Sequence, residues 1–420
     1  MKTITVIKKD KVLKGRLVLP SSKSISNRLL MIRALSRKGF TINNLSQSDD
    51  TILLQTLLQE ISAGKARKVP SAELNTANAG TAMRFLASYL TITPGKWILT
   101  GSDRMKQRPI GILVDALKGL GAEIDYLGKL GYPPLMIKGR SLRGGVITVD
   151  AGISSQFISS LMLIAPCLPG GLSIQIQGQA VSYPYIHMTT RLLNHFGIDI
   201  MEKKNKIIIP ESFIKESGFT VEADWSAAAF WYEAAILADE TDLVMAGLRK
   251  NSLQGDSILV EIFQNFGITS EFTDTAVRLT KTNKTPDNYY FDFTGFPDIA
   301  PAVITSCAAL GISGKFEGLK SLRIKETNRL KALKNEFAKM SLILEPDIPA
   351  VMIPAIEFRN PQLRSDHELK IDTYGDHRMA MTFAPLAMKF GSIRIENPDV
   401  VSKSYPQYWE HLASLGFEIK

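Results

Sequence analysis

The segment Arg323-Ile324-Lys325-Glu326-Thr327-Asn328-Arg329 gathers two cations and a carboxylate ahead of the amphipathic run Leu330, Leu333, Phe337, Met340. That run has helical spacing, so the segment is expected at a helix start. Lys325 and Arg329 stand four apart and Glu326 and Arg329 three apart, which would put all three on neighbouring positions at the positive end of a helix dipole. Such an end attracts anions. Taken alone, a solvated helix terminus with ordinary ion pairs is the plainer reading.

The same design recurs along the chain. Pro20-Ser21-Ser22-Lys23-Ser24-Ile25-Ser26-Asn27-Arg28 joins an expected strand at 15–19 to an expected helix at 28–36, with hydroxyls, Lys23 and Arg28 converging where an anion would sit. Asn75 to Arg84 is built of small residues around Gly80, which let backbone approach a ligand closely before a helix begins. Arg104, Lys106 and Arg108 lie within five residues ahead of an expected helix at 110–117, and arginine grips carboxylate or phosphate with two parallel hydrogen bonds. Ser154-Ser155-Gln156 and Ser182-Tyr183-Pro184-Tyr185 are further small, polar helix starts. Asp298 precedes the apolar segment 302–310 and reads as an N-cap or a general base. Asp376-His377-Arg378 brings an acid, an imidazole and a guanidinium to one more helix start. Each cluster alone also fits a capped turn or a solvated basic loop. The histidines lack metal-ligand spacing, so no metal is expected. Without a Gly-x-Gly-x-x-Gly fingerprint or a Walker loop, no nucleotide cofactor is expected either.

The elements that must position these groups follow a repeat. Leu117-x-x-Leu120-Gly121, Leu193-x-x-Phe196-Gly197, Phe263-x-x-Phe266-Gly267 and Leu412-x-x-Leu415-Gly416 each read as a helix closed by a glycine cap and followed by a strand. Weaker copies at Leu58-x-x-Ile61-Ser62 and Phe337-x-x-Met340-Ser341 complete six units, about 60 to 75 residues apart and so longer than solenoid repeats. A chain of 420 residues with 45% hydrophobic content suits two domains of three units each. A boundary is expected near 221–225, after the strand 206–209 and a companion strand at 219–221. Cys167 and Cys307 both lie in apolar runs and read as buried reduced thiols. The N-terminal residues alternate like a strand and lack the pattern of a signal peptide, and no stretch reaches the length of a membrane span. A soluble, cytoplasmic protein is expected. Net charge is +9 with a sequence pI near 9.3. That balance suits highly anionic small substrates or nucleic acid.

Together these segments resemble the 5-enolpyruvylshikimate-3-phosphate synthase family of enolpyruvyl transferases, from about Gly15 to the C-terminus. The most specific matches are Ser22-Lys23-Ser24-x-Ser26-Asn27-Arg28, Asn78-Ala79-Gly80-Thr81-Ala82-Met83-Arg84, Arg104-Met105-Lys106-x-Arg108-Pro109, Arg323-x-Lys325-Glu326-Thr327-x-Arg329 and Asp376-His377-Arg378-Met379-Ala380-Met381. The resemblance implies an α/β fold, a two-domain inside-out barrel with three βαβαββ units per domain and the ligand cleft between domains. Residues 1–19 with 223–420 would form one domain and 20–222 the other. The implied reaction transfers the enolpyruvyl group of phosphoenolpyruvate to the 5-hydroxyl of shikimate 3-phosphate and releases phosphate, a step towards chorismate and the aromatic amino acids.

By the same resemblance, Lys23, Ser24, Arg28, Ser154, Ser155, Gln156, Ser182, Asp298 and Lys325 hold shikimate 3-phosphate. Lys23, Gly80, Arg108, Gln156, Arg329, Arg378 and Lys403 hold phosphoenolpyruvate. Glu326, Asp298 and Lys23 are the catalytic candidates, and a monomer without metal or cofactor is expected. Four positions depart from the family pattern: Ser21 for Gly, Phe85 for Pro, Gly375 for Asn, and Ser321 for Asn or Glu. The sister transferase acting on UDP-N-acetylglucosamine fits less well, because the loop 104–109 has no Cys and Lys23 is followed by Ser24. A nucleic-acid-binding protein would explain the charge but not the separated acids Asp298, Glu326 and Asp376.

Overall fold

The computed structural model describes residues 2–64, 71–150, 152, 154–178, 181–282, 284–344 and 355–420. The chain packs as two compact units, Lys23–Val221 and a discontinuous one made of Met1–Ser22 with Glu222–Lys420. The crossings thus lie between Ser22 and Lys23 and between Val221 and Glu222, not after residues 19 and 222. Pro20 to Ser22 stay with the discontinuous unit because their backbone is held there: Ser22 N–H donates to Glu222 O (2.8 Å) and Asp224 N–H to Pro20 O (2.8 Å).

One motif builds both units. Among the described residues, four pairs of parallel strands are joined by a helix between them: Ser71–Asn75 and Gly95–Thr100 around Gly80–Thr91, Gly145–Asp150 and Leu172–Gln177 around Ser155–Ile164, Asn288–Asp292 and Ser313–Glu317 around Ala300–Leu310, and Lys370–Ile371 and Ser392–Glu396 around His377–Phe383. Parallel strands need such a crossover, and it leaves the helix start at the carboxyl end of the first strand, where ligands bind in α/β sheets. Two more parallel pairs join segments far apart in sequence: Val12–Val18 with Glu240–Ala246, and Ile42–Asn43 with Phe219–Thr220. Antiparallel strands complete the sheets, and Thr3–Ile7 lies between Ser392–Glu396 and Glu418–Ile419.

Two helices are apolar on nearly every side, and such helices belong inside. Trp225–Leu237 buries every residue but Ser226, and Ala300–Leu310 every residue but Leu310. The sheets around them alternate, with Glu240–Ala246 burying Thr241, Leu243 and Met245 on one face. No described helix is long and apolar enough to cross a membrane.

Several element limits differ from expectation. The strand expected at 15–19 is Val12–Val18. The helix expected from Arg28 begins at Lys23, so Lys23 and Ser24 sit in its first turn. Gly121, Gly197, Gly267 and Gly416 have positive φ at their helix ends, as does Ser341 (φ 61°). The Leu58 copy does not end at Ser62, because no residue there breaks the helix and Asp49–Gly64 runs on. Phe219–Thr220 pairs with Ile42–Asn43 rather than with Lys206–Ile209. Cys307 is buried, but Cys167 is exposed at the end of the 3-10 turn Ala165–Cys167.

Candidate active site

In the discontinuous unit the site is organised by Arg329, the first residue of helix Arg329–Ala338 and only 1% exposed. Its Nε and Nη2 donate to the two carboxylate oxygens of Asp376 (2.7 and 3.2 Å), Nη1 donates to Asp298 Oδ1 (3.1 Å) and Nη2 also to Glu326 Oε2 (2.9 Å). A planar fork serving three carboxylates fixes all three. Lys325 Nζ donates to Asp298 Oδ1 (3.3 Å), and Arg378 Nη1 donates to the Asp298 carbonyl oxygen (2.8 Å). Lys403 Nζ lies 3.8 Å from Glu326 Oε1. All six candidate residues of this unit therefore belong to one charged network.

Local folding explains the convergence, with one correction. Lys325 and Glu326 are not on a helix. Lys320–Ile324 is a 3-10 turn, Lys325 is extended, and Asn328 caps the helix by accepting from Lys331 N–H (3.2 Å). Asp298 is not a cap either, since Ile299 holds that place before Ala300–Leu310. Its carboxylate is thus left to the cations. Asp376 does cap His377–Phe383, accepting from Arg378 N–H (2.9 Å). Gly375 has φ 68°, a conformation open to Gly and Asn alike, so its departure from the family pattern is conservative.

Burial pushes the Asp298 carboxyl up, but Arg378, Lys325 and Arg329 outweigh it and hold the group well below the usual carboxylate range. Burial lowers Lys325 from its ordinary value, partly offset by Asp298. Asp256 is an acid that sequence patterns did not single out. It is 2% exposed, accepts from Ser226 Oγ, and is raised to about 6 by burial and by Asp298.

In the unit Lys23–Val221 the candidates fall into smaller groups. Lys23 Nζ is 3.0 Å from Asp50 Oδ2, in the first turn of helix Asp49–Gly64. Asp50 was also missed, since an acid near a helix start is ordinary capping chemistry. Arg28 is buried: Nε donates to Thr189 Oγ1 (2.7 Å), Nη2 to Ser159 Oγ and Tyr185 O (both 3.1 Å), and Nη1 to Ser24 O (3.0 Å). Burial lowers it to about 10. Phe85 packs beneath this guanidinium, its ring centroid 5.6 Å away. Ser154 caps Ser155–Ile164 by accepting from Gln156 N–H (3.3 Å), and Gln156 Nε2 donates to Thr81 Oγ1 (3.2 Å). Ser182 precedes Tyr183–His195 in a left-handed conformation (φ 59°) and makes no side-chain cap bond. Ser321, in the other unit, is 7% exposed with its Oγ unpartnered.

Gly80 and Arg108 form the remaining group. A Cβ on Gly80 would lie 2.7 Å from Arg108 Nη2 and 2.8 Å from Nη1. Arg108 is 6% exposed, yet among the described residues its Nε and Nη1 have no hydrogen-bond partner. A buried guanidinium with unmade bonds is costly, and an anion removes the cost. No described group of three or more His, Cys, Asp or Glu residues could hold a metal ion.

The family model described as EPSP synthase (3-phosphoshikimate 1-carboxyvinyltransferase) matches residues 7–412. A 3-phosphoshikimate 1-carboxyvinyltransferase of Bacteroides fragilis is 42% identical over 410 residues, covering 97% of each chain. One from a Sulfurovum species is 35% identical over 435 residues, covering 99% of each. Among solved structures, EPSP synthase from Acinetobacter baumannii superposes with a TM-score of 0.76 at 22% identity, over the full length of both chains. The fold shared with it is the two-domain inside-out α/β architecture.

Proposed function

The chain belongs to the EPSP synthase family, and from that premise we infer how its own residues divide the work. The reaction transfers the enolpyruvyl group of phosphoenolpyruvate to shikimate 3-phosphate, in aromatic amino-acid biosynthesis. We assign phosphoenolpyruvate to Lys23, Gly80, Arg108 and Gln156 in one unit and to Arg329, Arg378 and Lys403 in the other. Shikimate 3-phosphate is assigned to Lys23, Ser24, Arg28, Ser154, Ser155, Gln156 and Ser182, with Asp298 and Lys325. The two compact units are taken as the enzyme's domains. We take it to act as a cytoplasmic monomer without nucleic acid.

The observation that carries the donor assignment is Arg108, a buried cation with unmade hydrogen bonds beside a glycine whose missing Cβ leaves room. A phosphate or carboxylate supplies the absent acceptors. For the chemistry, the acceptor hydroxyl adds to C2 of phosphoenolpyruvate while C3 gains a proton. The tetrahedral adduct then loses that proton and inorganic phosphate. We assign the C3 proton to Glu326 and the hydroxyl proton to Asp298. Asp298 is held ionised by Arg378, Lys325 and Arg329. Substrate anions that engage these cations weaken their hold and make Asp298 a stronger base when the reaction begins. Lys23 and the arginines stabilise charge on the departing phosphate.

The test is phosphate release with phosphoenolpyruvate and either shikimate 3-phosphate or UDP-N-acetylglucosamine as acceptor. Release only with the second acceptor would overturn the substrate assignment. Arg108→Ala should raise the KM for phosphoenolpyruvate roughly 10- to 100-fold, the loss of a charge-assisted contact of about 1.5 to 3 kcal/mol. Glu326→Gln should lower kcat roughly 10²- to 10⁴-fold with smaller changes in binding. A kcat within about threefold of wild type would remove Glu326 from proton transfer.

A further inference from the structure

Helix Arg329–Ala338 meets the segment leading to Asp376 at two places. At its start, Arg329 donates twice to Asp376. Seven residues on, Glu336 accepts from the Tyr374 hydroxyl at its Oε1 (2.7 Å). Positions seven apart lie two turns along the same helix face, so the two contacts form successive rungs between one helix and one strand-to-helix loop. Glu336 is fully buried, and its carboxylate is fixed by Lys339 Nζ (2.9 Å to Oε1 and 2.7 Å to Oε2), which also donates to Lys370 O (2.8 Å).

The loop is unusual where the second rung attaches. Tyr374 has φ 52° and Gly375 φ 68°, two left-handed residues in succession. For an aromatic residue this conformation costs on the order of 1 kcal/mol, and it persists only where surrounding contacts enforce it. Tyr374 N–H donates to Asp372 Oδ1 (2.7 Å), Asp376 N–H donates to Thr373 O (2.8 Å), and the phenol reaches Glu336. These bonds turn the chain so that Asp376 caps His377–Phe383 with one oxygen while gripping Arg329 with both. Asp376 thus ties the Arg329 guanidinium and the backbone of Arg378 to this loop, while Asp298 and Glu326 hold the same end of the helix. The contact at Glu336 adds a second point of attachment two turns along, which opposes a roll of the helix about its start.

We propose that Tyr374 and Glu336 are positioning residues for the reaction: their hydrogen bond fixes the roll of helix Arg329–Ala338 against the loop 372–376, and so the aim of Arg329 and Arg378 at the donor's anionic groups. Glu336 is buried, and neither residue is among those assigned to substrate above. The inference rests on the assignment of these arginines to phosphoenolpyruvate made above.

The test compares Tyr374→Phe and Tyr374→Asn with wild type in the phosphate-release assay with shikimate 3-phosphate, together with thermal unfolding. Tyr374→Phe loses the rung and keeps the backbone cost. Tyr374→Asn also loses the rung; it tolerates the left-handed conformation, which offsets part of the packing lost when the ring leaves the core. Both should raise the KM for phosphoenolpyruvate roughly 10- to 100-fold, while the KM for shikimate 3-phosphate stays within about threefold. Adding Glu336→Ala to Tyr374→Asn should cost less than the sum of the single changes, because both remove one bond. A lowered Tm with both KM values unchanged in Tyr374→Asn would overturn the proposal and leave the pair a purely structural contact. An equal rise in both KM values would overturn it too. Wild-type protein that releases no phosphate would instead sink the functional assignment itself.

Discussion

At the scale of single residues, the charged candidates were legible and their uncharged or oddly placed supports were not. Lys325, Glu326 and Arg329 stood out because cations and an acid cluster beside a helix pattern. Asp256 did not, since its role comes from burial among Ser226, Asp298 and Arg378, which are distant in sequence. Its raised value makes a pH prediction. With about 6 in the folded protein against an ordinary 3.8, the folded state binds the proton more tightly. That stabilisation is fully present below pH 4 and is lost as pH rises through about 6, a difference on the order of 3 kcal/mol. Asp256→Asn keeps an acceptor for Ser226 and cannot ionise. It should raise stability by about 1 to 3 kcal/mol at pH 8 and change little at pH 4, measured by urea unfolding at both. The same gain at both pH values would mean that ionisation of Asp256 is not the cause.

At the scale of elements, helix starts were readable and helix limits were less so. Polar small residues followed by apolar runs located the starts of Gly80–Thr91, Ser155–Ile164 and His377–Phe383. The Ser-rich first turn of Lys23–Leu35 has the sequence of a cap or loop, and tertiary packing overrides that preference. Invisible in sequence was the treatment of the far helix ends. Lys281 Nζ donates to Ile236 O (2.7 Å) and Ala238 O (2.5 Å), closing Trp225–Leu237, and Lys389 Nζ donates to Ala309 O (2.8 Å) at the end of Ala300–Leu310. These ammonium groups satisfy carbonyls that lack helical partners and oppose the negative pole of each dipole. Lys281→Met keeps the apolar stem and removes both bonds. It should cost about 1 to 3 kcal/mol and lower Tm by roughly 2 to 10 °C, with KM values within about twofold. An unchanged Tm would show that water caps this helix equally well.

At the scale of the whole molecule, four repeats could be read from glycine-capped helix ends and a fifth from the turn at Ser341, but the borrowing of strands between distant segments could not. A two-residue strand such as Ile42–Asn43 carries no periodic signal, and its partner lies at Phe219–Thr220. Every described strand of the unit Lys23–Val221 pairs within that unit. Residues 23–221 alone should therefore unfold cooperatively in a circular-dichroism melt. Residues 222–420 alone lack Val12–Val18 beside Glu240–Ala246 and Thr3–Ile7 between Ser392–Glu396 and Glu418–Ile419. They should melt without a sharp transition until a peptide of residues 2–22 is added, and a sharp transition without it would disprove the dependence. The same threading governs birth on the ribosome. Thr3–Ile7 is synthesised well before both of its neighbours in the sheet, Ser392–Glu396 and Glu418–Ile419. At roughly 5 to 20 residues per second, this apolar strand waits about 20 to 80 seconds for partners. Throughout that delay its backbone N–H and C=O groups have no sheet partner, the state in which a strand is open to pairing with another chain.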